Sequence, residues 1–408
     1  MSPTVFAIGA ACGVLVTALA AAALRNRFYA VFVGVILGVQ ASIAAGIYAA
    51  FEPVWPLFVY LELCVLVHFL SLARARMRPL AFRALVSLPA LFFAAGTLLA
   101  LPFAIAAAFG VEPIGALGAF AIAGLGVWQS LAARREVVHL ALDGAPVEGL
   151  RRHPKGRGAD ARPLRVVQIT DPHLGPLMSV ARLRGICERA AREAPDLVVI
   201  TGDFLTMESQ ADPRTLADAL APLAALEGKV FACFGNHDHE APHIVRNACA
   251  KHGIRLLVDD EASLETPAGP VQILGADFAF RDRRARLEAL CAAFPRREGH
   301  LRLLLLHDPG AFRHVPDGEA DLVLSGHTHG GQLGLLTLGL PWTFVSAFTS
   351  IPDHGVWAKG KNRLYVHRGT GVYGFPLRVG VPAEESVLCV HTEALAATRD
   401  EARPTPAA

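Results

Sequence analysis

Five short clusters of metal-philic residues recur between positions 171 and 330 of this 408-residue chain. They read Asp171-Pro172-His173, Gly202-Asp203, Gly235-Asn236-His237-Asp238, His307-Asp308 and Gly326-His327-Thr328-His329-Gly330. Imidazole, carboxylate and amide oxygen are ligand types that suit Mn, Fe or Zn. A carboxylate can bridge two cations through one or both oxygens. Two ions about 3.5–4 Å apart clamp a phosphate and lower the pKa of a shared water toward neutrality. Glycines beside the ligands let the backbone turn sharply and let a bulky phosphate approach. One Asp-x-His alone says little, since a lone histidine after a strand is more often a hydrogen-bonded core residue. The ordered set of five points to metal-assisted phosphate chemistry.

The elements that must position these residues are legible around them. Each cluster follows a short apolar run rich in Val, Ile and Leu, the pattern of a strand buried on both faces. The runs are 164–170, 196–201, 229–234, 301–306 and 321–325, with a further one at 271–274. Helical patterns occupy 180–193, 213–226, 243–252 and 282–293. This alternation predicts a layered α/β domain. Sites in such sheets form at the carboxyl ends of the strands, so five ends converge on one crevice. One more strand, 363–367, runs into Arg368, which is expected in a salt bridge rather than on a phosphate.

The motifs TDPHLG, TGDF, GNHDH, LLLHDP and SGHTHGGQ give the region from about 165 to 392 its character. In them the sequence resembles the calcineurin-like metallophosphoesterase family, specifically its bacterial membrane-associated branch. The resemblance implies two packed mixed β-sheets flanked by helices. It assigns Asp171, His173 and His329 to one divalent ion, with Asp203 shared, and Asn236, His307 and His327 to a second. It makes His237 the catalytic group that contacts the phosphate and assists the leaving group. Mn is the first expectation for the ions, ahead of Fe and Zn. Thr206 departs from the family, which often has an acidic residue three positions after the second motif's aspartate. Lower activity or a shifted metal preference is expected from it. Asp238 and Asp308 are expected to orient the neighbouring histidines, with loop capping as the alternative. His239 and His243 are candidates for the cleft wall, and the remaining histidines outside the motifs read as structural or exposed.

The first third of the chain has a different composition. Overall, 53% of residues are hydrophobic and only 18% charged, and the mean hydropathy is +0.40. Such values indicate membrane spans. Five apolar stretches are long enough, at 4–24, 28–50, 54–72, 84–109 and 114–133. Arg25 and Arg27 follow the first, Arg74, Arg76, Arg78 and Arg83 the third, and Arg134 and Arg135 the fifth. This alternation predicts an outside N-terminus and a cytoplasmic catalytic domain, on a bacterial inner membrane. No positive charge precedes Leu15, which argues against a cleaved signal peptide. Gln40, Glu62 and His68 lie within apolar runs and are expected to hydrogen-bond between helices.

The chain therefore divides into a membrane domain (1–133), a basic juxtamembrane linker (134–163), a phosphoesterase domain (164–394) and a disordered tail (395–408). The linker carries Arg151, Arg152, His153, Lys155, Arg157 and Arg162, and reads either as lying on anionic headgroups or as a solvated tether. Seven cysteines without a CxxC pair exclude a thiolate zinc site and fit reduced, buried thiols. The uncharged stretch 333–348, with Trp342, Phe344 and Phe348, is expected to meet the membrane or the acyl part of a substrate, or else to be a buried strand pair.

The function these features support is hydrolysis of a phosphoester or pyrophosphate at a dinuclear centre. The membrane domain points to a lipid-linked substrate and to contact with membrane lipids. Members of the resembled branch include phosphodiesterases and a cytoplasmic-face UDP-2,3-diacylglucosamine pyrophosphatase, whose substrate is the first one the resemblance suggests. The alternatives are an anchored phosphatase or phosphodiesterase acting on proteins or small molecules, and a non-catalytic metal-binding sensor. A complete ligand set and the presence of His237 argue against the sensor. A formal net charge of +2, with no basic stretch interleaved with aromatics, argues against nucleic acid. Nothing in the sequence speaks to oligomeric state.

Overall fold

The computed structural model describes residues 1–156, 158 and 162–392. The tail expected at 395–408 lies outside them.

The N-terminal third is a helical membrane domain. Helices α1 (Pro3–Leu24), α2 (Arg27–Ile47) and α3 (Trp55–Ser71) are followed by α4 (Leu80–Leu99), α5 (Leu101–Ala108) and α6 (Ala116–Leu131). Four helical stretches among the described residues are long and apolar enough to cross a membrane. One of them, Arg27–Ser71, runs for 45 residues and contains both the second and the third expected span. It doubles back at the 3-10 turn Tyr48–Val54, which contains Pro53. A straight helix would place Gln40 and Glu62 about 33 Å apart, yet their side chains hydrogen-bond at 2.9 Å. Tyr29 Oη likewise donates to the carbonyl of Phe69 at 2.7 Å. Aromatic residues from three helices and the turn fill the bundle core, with Phe58 against Phe6, Tyr48, Phe51 and Phe93.

The rest of the chain is the expected α/β domain with two mixed sheets. Its strands are β1 (Ala133–Ala141), β2 (Val147–Arg152), β3 (Leu164–Ile169), β4 (Leu197–Thr201), β5 (Val230–Cys233), β6 (Arg255–Leu256) and β7 (Asp260–Thr266), then β8 (Gly269–Gly275), β9 (Leu301–Leu305), β10 (Leu322–Ser325), β11 (Gly355–Gly360), β12 (Asn362–Val366) and β13 (Ala383–His391). One sheet has the order β1-β13-β3-β4-β5-β6 and the other β2-β11-β12-β10-β9-β8-β7. The alternation of side chains explains why the central strands are apolar throughout. In β4, Leu197 and Val199 face the layer between the sheets. Val198 and Ile200 face the helices α7 (Val180–Arg192), α8 (Pro213–Leu220) and α9 (Pro242–Lys251). In β9, Leu303 and Leu305 point into the inter-sheet layer. Leu304 points to the outer layer with α10 (Arg283–Ala293).

The basic stretch read as a linker is instead woven into both sheets. β1 pairs in parallel with β13 from Ala133 to Ala141, and β2 pairs antiparallel with β11. The physical reason is period-two burial beneath the charge: Val138 and Leu140 are buried, while Arg135 reaches Glu385 at 3.9 Å. Only Ala132 separates α6 from β1, so the last membrane helix runs directly into the sheet.

The uncharged stretch after the last motif is not core. Leu338 is 72% exposed and Trp342 45%, with Phe348 also exposed. It forms a loop with a 3-10 turn at Leu336–Leu338 and a short helix at Phe344–Phe348.

Candidate metal centre

All seven expected ligands leave the carboxyl ends of β3, β4, β5, β9 and β10. The structure brings them into two adjoining groups. Asp171, His173 and His329 form one, and Asp203, His307 and His327 the other, each with its ligand atoms within 4.8 Å of one another. Asn236 joins the second group, its Oδ1 lying 3.2 Å from His307 Nε2. Asp203 stands between the groups: its Oδ2 is 3.5 Å from His173 Nε2 and 3.3 Å from His307 Nε2.

Backbone conformation records how tightly this arrangement is imposed. Asp171, His173, Asp203, His327 and His329 have φ of 50°, 46°, 55°, 67° and 52°. Non-glycine residues in this left-handed region are uncommon and cost of order 1–3 kcal/mol each, and they cluster at functional sites. The glycines of the motifs have a more specific duty than free turning. A Cβ on Gly326 would collide with Asp171 Oδ2, and one on Gly235 with Asp203 Oδ1.

Outer contacts hold Asp171, His173, His307 and His329 in place. Thr170 Oγ1 donates to Asp171 Oδ2 at 2.7 Å, and the His327 amide donates to the same oxygen at 2.9 Å. His307 Nδ1 lies 2.7 Å from the Thr201 carbonyl and His173 Nδ1 3.3 Å from that of Leu205. Carbonyls in those positions hold a proton on Nδ1 and turn Nε2 toward the cluster. Arg378, fully buried, reaches His329 Nδ1 at 3.2 Å and donates to the Gly371 carbonyl at 2.7 Å.

Of the two roles expected for the neighbouring acids, both take the capping one. Asp238 does not touch its neighbour His237. It accepts from the amides of Asp203, Phe204 and Gly235 at 2.8, 2.8 and 2.9 Å, tying the second and third motifs together. Asp308 caps Gly310 at 2.7 Å and bridges Arg283 at 2.7 Å. His237 is oriented instead by Glu240, whose Oε1 lies 3.1 Å from Nδ1, and Glu240 is in turn held by Gln210 at 2.7 Å. The three-residue spacing in a 3-10 turn was the available signal for Glu240. Tyr373 was also missed. Its ring meets His237 edge-on at 4.4 Å, and no motif contains it. His239 pairs with Asp277 at 3.0 Å. Arg368 is in the expected salt bridges, with Glu136 and Glu384.

Electrostatics favour a cation here. Burial pushes the Asp171 carboxyl up to about 6, opposed by His307 and reinforced by Asp203. Burial lowers His173 to about 3 and His327 to about 4, so both imidazoles are neutral and carry free lone pairs. For His307, burial is outweighed by Asp203 and Asp171, and its pKa rises to about 10. The imidazolium of His307 thus balances the two carboxylates, a charge that divalent ions held by the same atoms would supply. His173 Nε2 is buried and has no hydrogen-bond partner among the described residues. An orphaned lone pair beside two carboxylates, within an N/O donor set, fits divalent transition ions. For His237, burial is outweighed by the hydrogen bond to Glu240 and the charge of Asp203, and the net shift is upward.

A family model described as calcineurin-like phosphoesterase matches residues 164–331. The chain is 29% identical over 224 residues to phosphodiesterase YaeI of Escherichia coli (strain K12), covering 53% of this chain and 79% of that protein. It is 32% identical over 194 residues to the metallophosphoesterase YkoQ of Bacillus subtilis, covering 45% and 68%. It is 26% identical over 269 residues to the UDP-2,3-diacylglucosamine pyrophosphatase LpxG of Chlamydia trachomatis, covering 51% and 78%.

Proposed function

The chain belongs to the calcineurin-like phosphoesterase family and is a phosphoester hydrolase, and from that premise we propose that it uses a dinuclear centre to cleave a phosphodiester or pyrophosphate bond in a lipid-linked substrate. The observation that carries the proposal is the pair of three-residue ligand groups sharing one buried carboxylate, Asp203. Asp171, His173 and His329 would hold one divalent ion and Asn236, His307 and His327 the other, with Asp203 between them. Bound there, such ions supply Lewis acidity toward a phosphoryl oxygen and an acidified water.

The chain's own residues do the rest. The buried ligands and their carbonyl and Arg378 supports keep the centre rigid. His237, with Nδ1 on Glu240, keeps its other ring nitrogen for the oxygen that departs and delivers the proton there. The substrate's lipid character rests on the membrane domain, on the exposed apolar loop around Leu338 and Trp342, and on the substrate for which LpxG is named.

The catalytic domain is proposed to face the cytoplasm. The arginine-rich ends of the bundle support this, because they lie on the catalytic side: Arg83 Nε donates to the Pro176 carbonyl at 2.8 Å. A reporter that works only in the periplasm, fused after Ala408, should be silent.

The test of the reaction offers the purified full chain, loaded with Mn, a soluble bis-ester, a mono-ester and a nucleotide-linked lipid pyrophosphate side by side. Two ions per chain and turnover of the bis-ester or pyrophosphate are expected. One ion per chain, or turnover confined to the mono-ester, would overturn the proposal.

A further inference from the structure

Between the helical bundle and the phosphoesterase domain lies an apolar cavity of about 390 Å³. Its walls come from α2, α3 and α4, and from the catalytic segments 176–177, 206–208 and 372–376. Along α2 it extends from Phe32 to Gln40, about 12 Å at 1.5 Å per residue. That is comparable to one leaflet's hydrocarbon, about 15 Å.

The cavity has a side window. Phe32, Ile36 and Val39 of α2 and Leu98 of α4 line it, and the same residues are 37–52% exposed. The space between α2 and α4 therefore opens toward the acyl region of a bilayer. Tyr373 is part of the cavity lining, and the same ring stacks on His173 at 4.4 Å. One aromatic residue thus touches both the apolar space and the candidate metal centre.

Four buried polar side chains interrupt the apolar wall: Gln40, His68, Thr206 and Glu208, each at most 5% exposed. Gln40 Oε1, His68 Nδ1 and both carboxylate oxygens of Glu208 have no hydrogen-bond partner among the described residues. Unsatisfied buried groups cost about 1–3 kcal/mol each. A mere packing gap between hydrophobic helices has no need of them. These atoms have almost no accessible surface, and a change of side-chain rotamer would bring them to hydroxyl or amide groups of a ligand along the wall.

We propose that this cavity is the acyl-chain site for an amphiphilic phosphoester that enters sideways from the bilayer between α2 and α4. The phosphate reaches the ligand cluster past Tyr373, the chain lies in the cavity, and lipid hydroxyl or amide groups meet Gln40, His68 and Glu208. The inference rests on the hydrolase reading of the centre and names its substrate class: a membrane lipid bearing the scissile phosphate, delivered without leaving the leaflet.

Ile36→Trp and Leu98→Trp test it, since both positions border the window and are exposed enough to take a larger ring. The full-length holoenzyme in phosphatidylcholine nanodiscs is given two esters with the same leaving group, soluble bis(p-nitrophenyl) phosphate and a diacyl phosphatidyl-p-nitrophenol. In parallel, a spin-labelled, non-hydrolysable phosphonolipid reports an immobilised chain by its spectrum. Each variant should lose at least about tenfold in kcat/KM on the lipid ester, the equivalent of about two buried methylenes, while keeping its rate on the soluble one. The immobilised component should disappear. Unchanged lipid turnover, or an immobilised component that survives in both variants, overturns the proposal. If the wild type cleaves neither ester, the hydrolase reading of the centre has failed, and the spin label still decides the cavity. If both esters slow equally, the spectrum likewise decides.

Discussion

The phenol ring of Tyr373 lies flat against the imidazole of His173, with centroids 4.4 Å apart and planes inclined by 10°. His173 stacks in turn on His329 at 5.0 Å, so one side of the ligand cluster is a three-ring pile. The outermost ring also meets His237 edge-on. A residue outside every motif therefore packs against one proposed ligand directly, against a second through it, and against the proposed proton donor.

Tyr373→Ala should loosen that pile. Residues supporting metal ligands typically contribute about 10–100-fold in affinity or activity, and a loss in that range is expected for metal affinity. Tyr373→Phe keeps the ring and should stay near wild type. Competition with a chelator, followed by metal analysis, separates the two; equal metal retention in both variants would show that the stacking is incidental.

Glu240 acts through His237. Substituting His237→Ala should cost about 10²–10⁴ in kcat, the usual contribution of general acid help, with two ions still bound. Glu240→Gln keeps a hydrogen bond but loses the charge, and should cost less. The two changes share one pathway, so the double variant should be no slower than His237→Ala alone. Additive losses in that cycle would assign Glu240 a role of its own.

Asp238 is a structural clamp, accepting three amides from two different loops. Asp238→Ala leaves those buried donors unpaired. Hydrogen bonds to a charged group contribute about 1.5–3 kcal/mol each, and a destabilisation of at least about 3 kcal/mol is expected. A thermal melt of the metal-loaded protein should show it. A melting temperature like that of the wild type would mean that water replaces the carboxylate.

Glu208 gives a pH dependence with a definite sign. Burial raises its pKa from 4.5 to about 7, against the pull of Arg78 and Arg83. The folded state then binds more protons than the unfolded state between those values, so stability falls as pH rises through that window. The penalty is absent below 4.5, fully developed above about 7, and at most roughly 3 kcal/mol. Glu208→Gln removes it. The variant should melt above the wild type at pH 8, and the gap should close by pH 5. A constant difference across that range would place the carboxylate's pKa at its ordinary value.

The sequence alone picked out the residues that the fold gathers into two candidate metal-binding groups, because their chemistry is local. Each motif is two to five residues, each follows a short apolar run, and both the metal-philic side chains and the strand that presents them lie in the same stretch of chain. The runs at 164–170 and 196–201 became β3 and β4 nearly unchanged. The membrane helices were legible for the same reason: twenty apolar residues suffice to identify a span. The doubling back of Arg27–Ser71 was also marked in the chain, at Pro53.

What the tertiary structure decided is whatever depends on partners distant in sequence. β1 is a strand because β13 lies beside it about 250 residues later. Its alternating Val138 and Leu140 were masked by arginines that face the other way, so a segment with a real two-residue period read as a tether. Asp238 and Asp308 sit beside histidines in sequence, yet their carboxylates turn to local amides and to partners from other segments, the amides of Asp203 and Phe204 and the guanidinium of Arg283. Tyr373 and Arg378 carry no motif, and their contacts with His173 and His329 exist only once β12 and β13 have brought residues 368–382 over the cluster. The cavity beside Tyr373 belongs to neither domain, since its walls come from three membrane helices and three catalytic loops. Local residue types set the ligand chemistry, whereas side-chain orientation and enclosed space arise from packing between segments far apart in the chain.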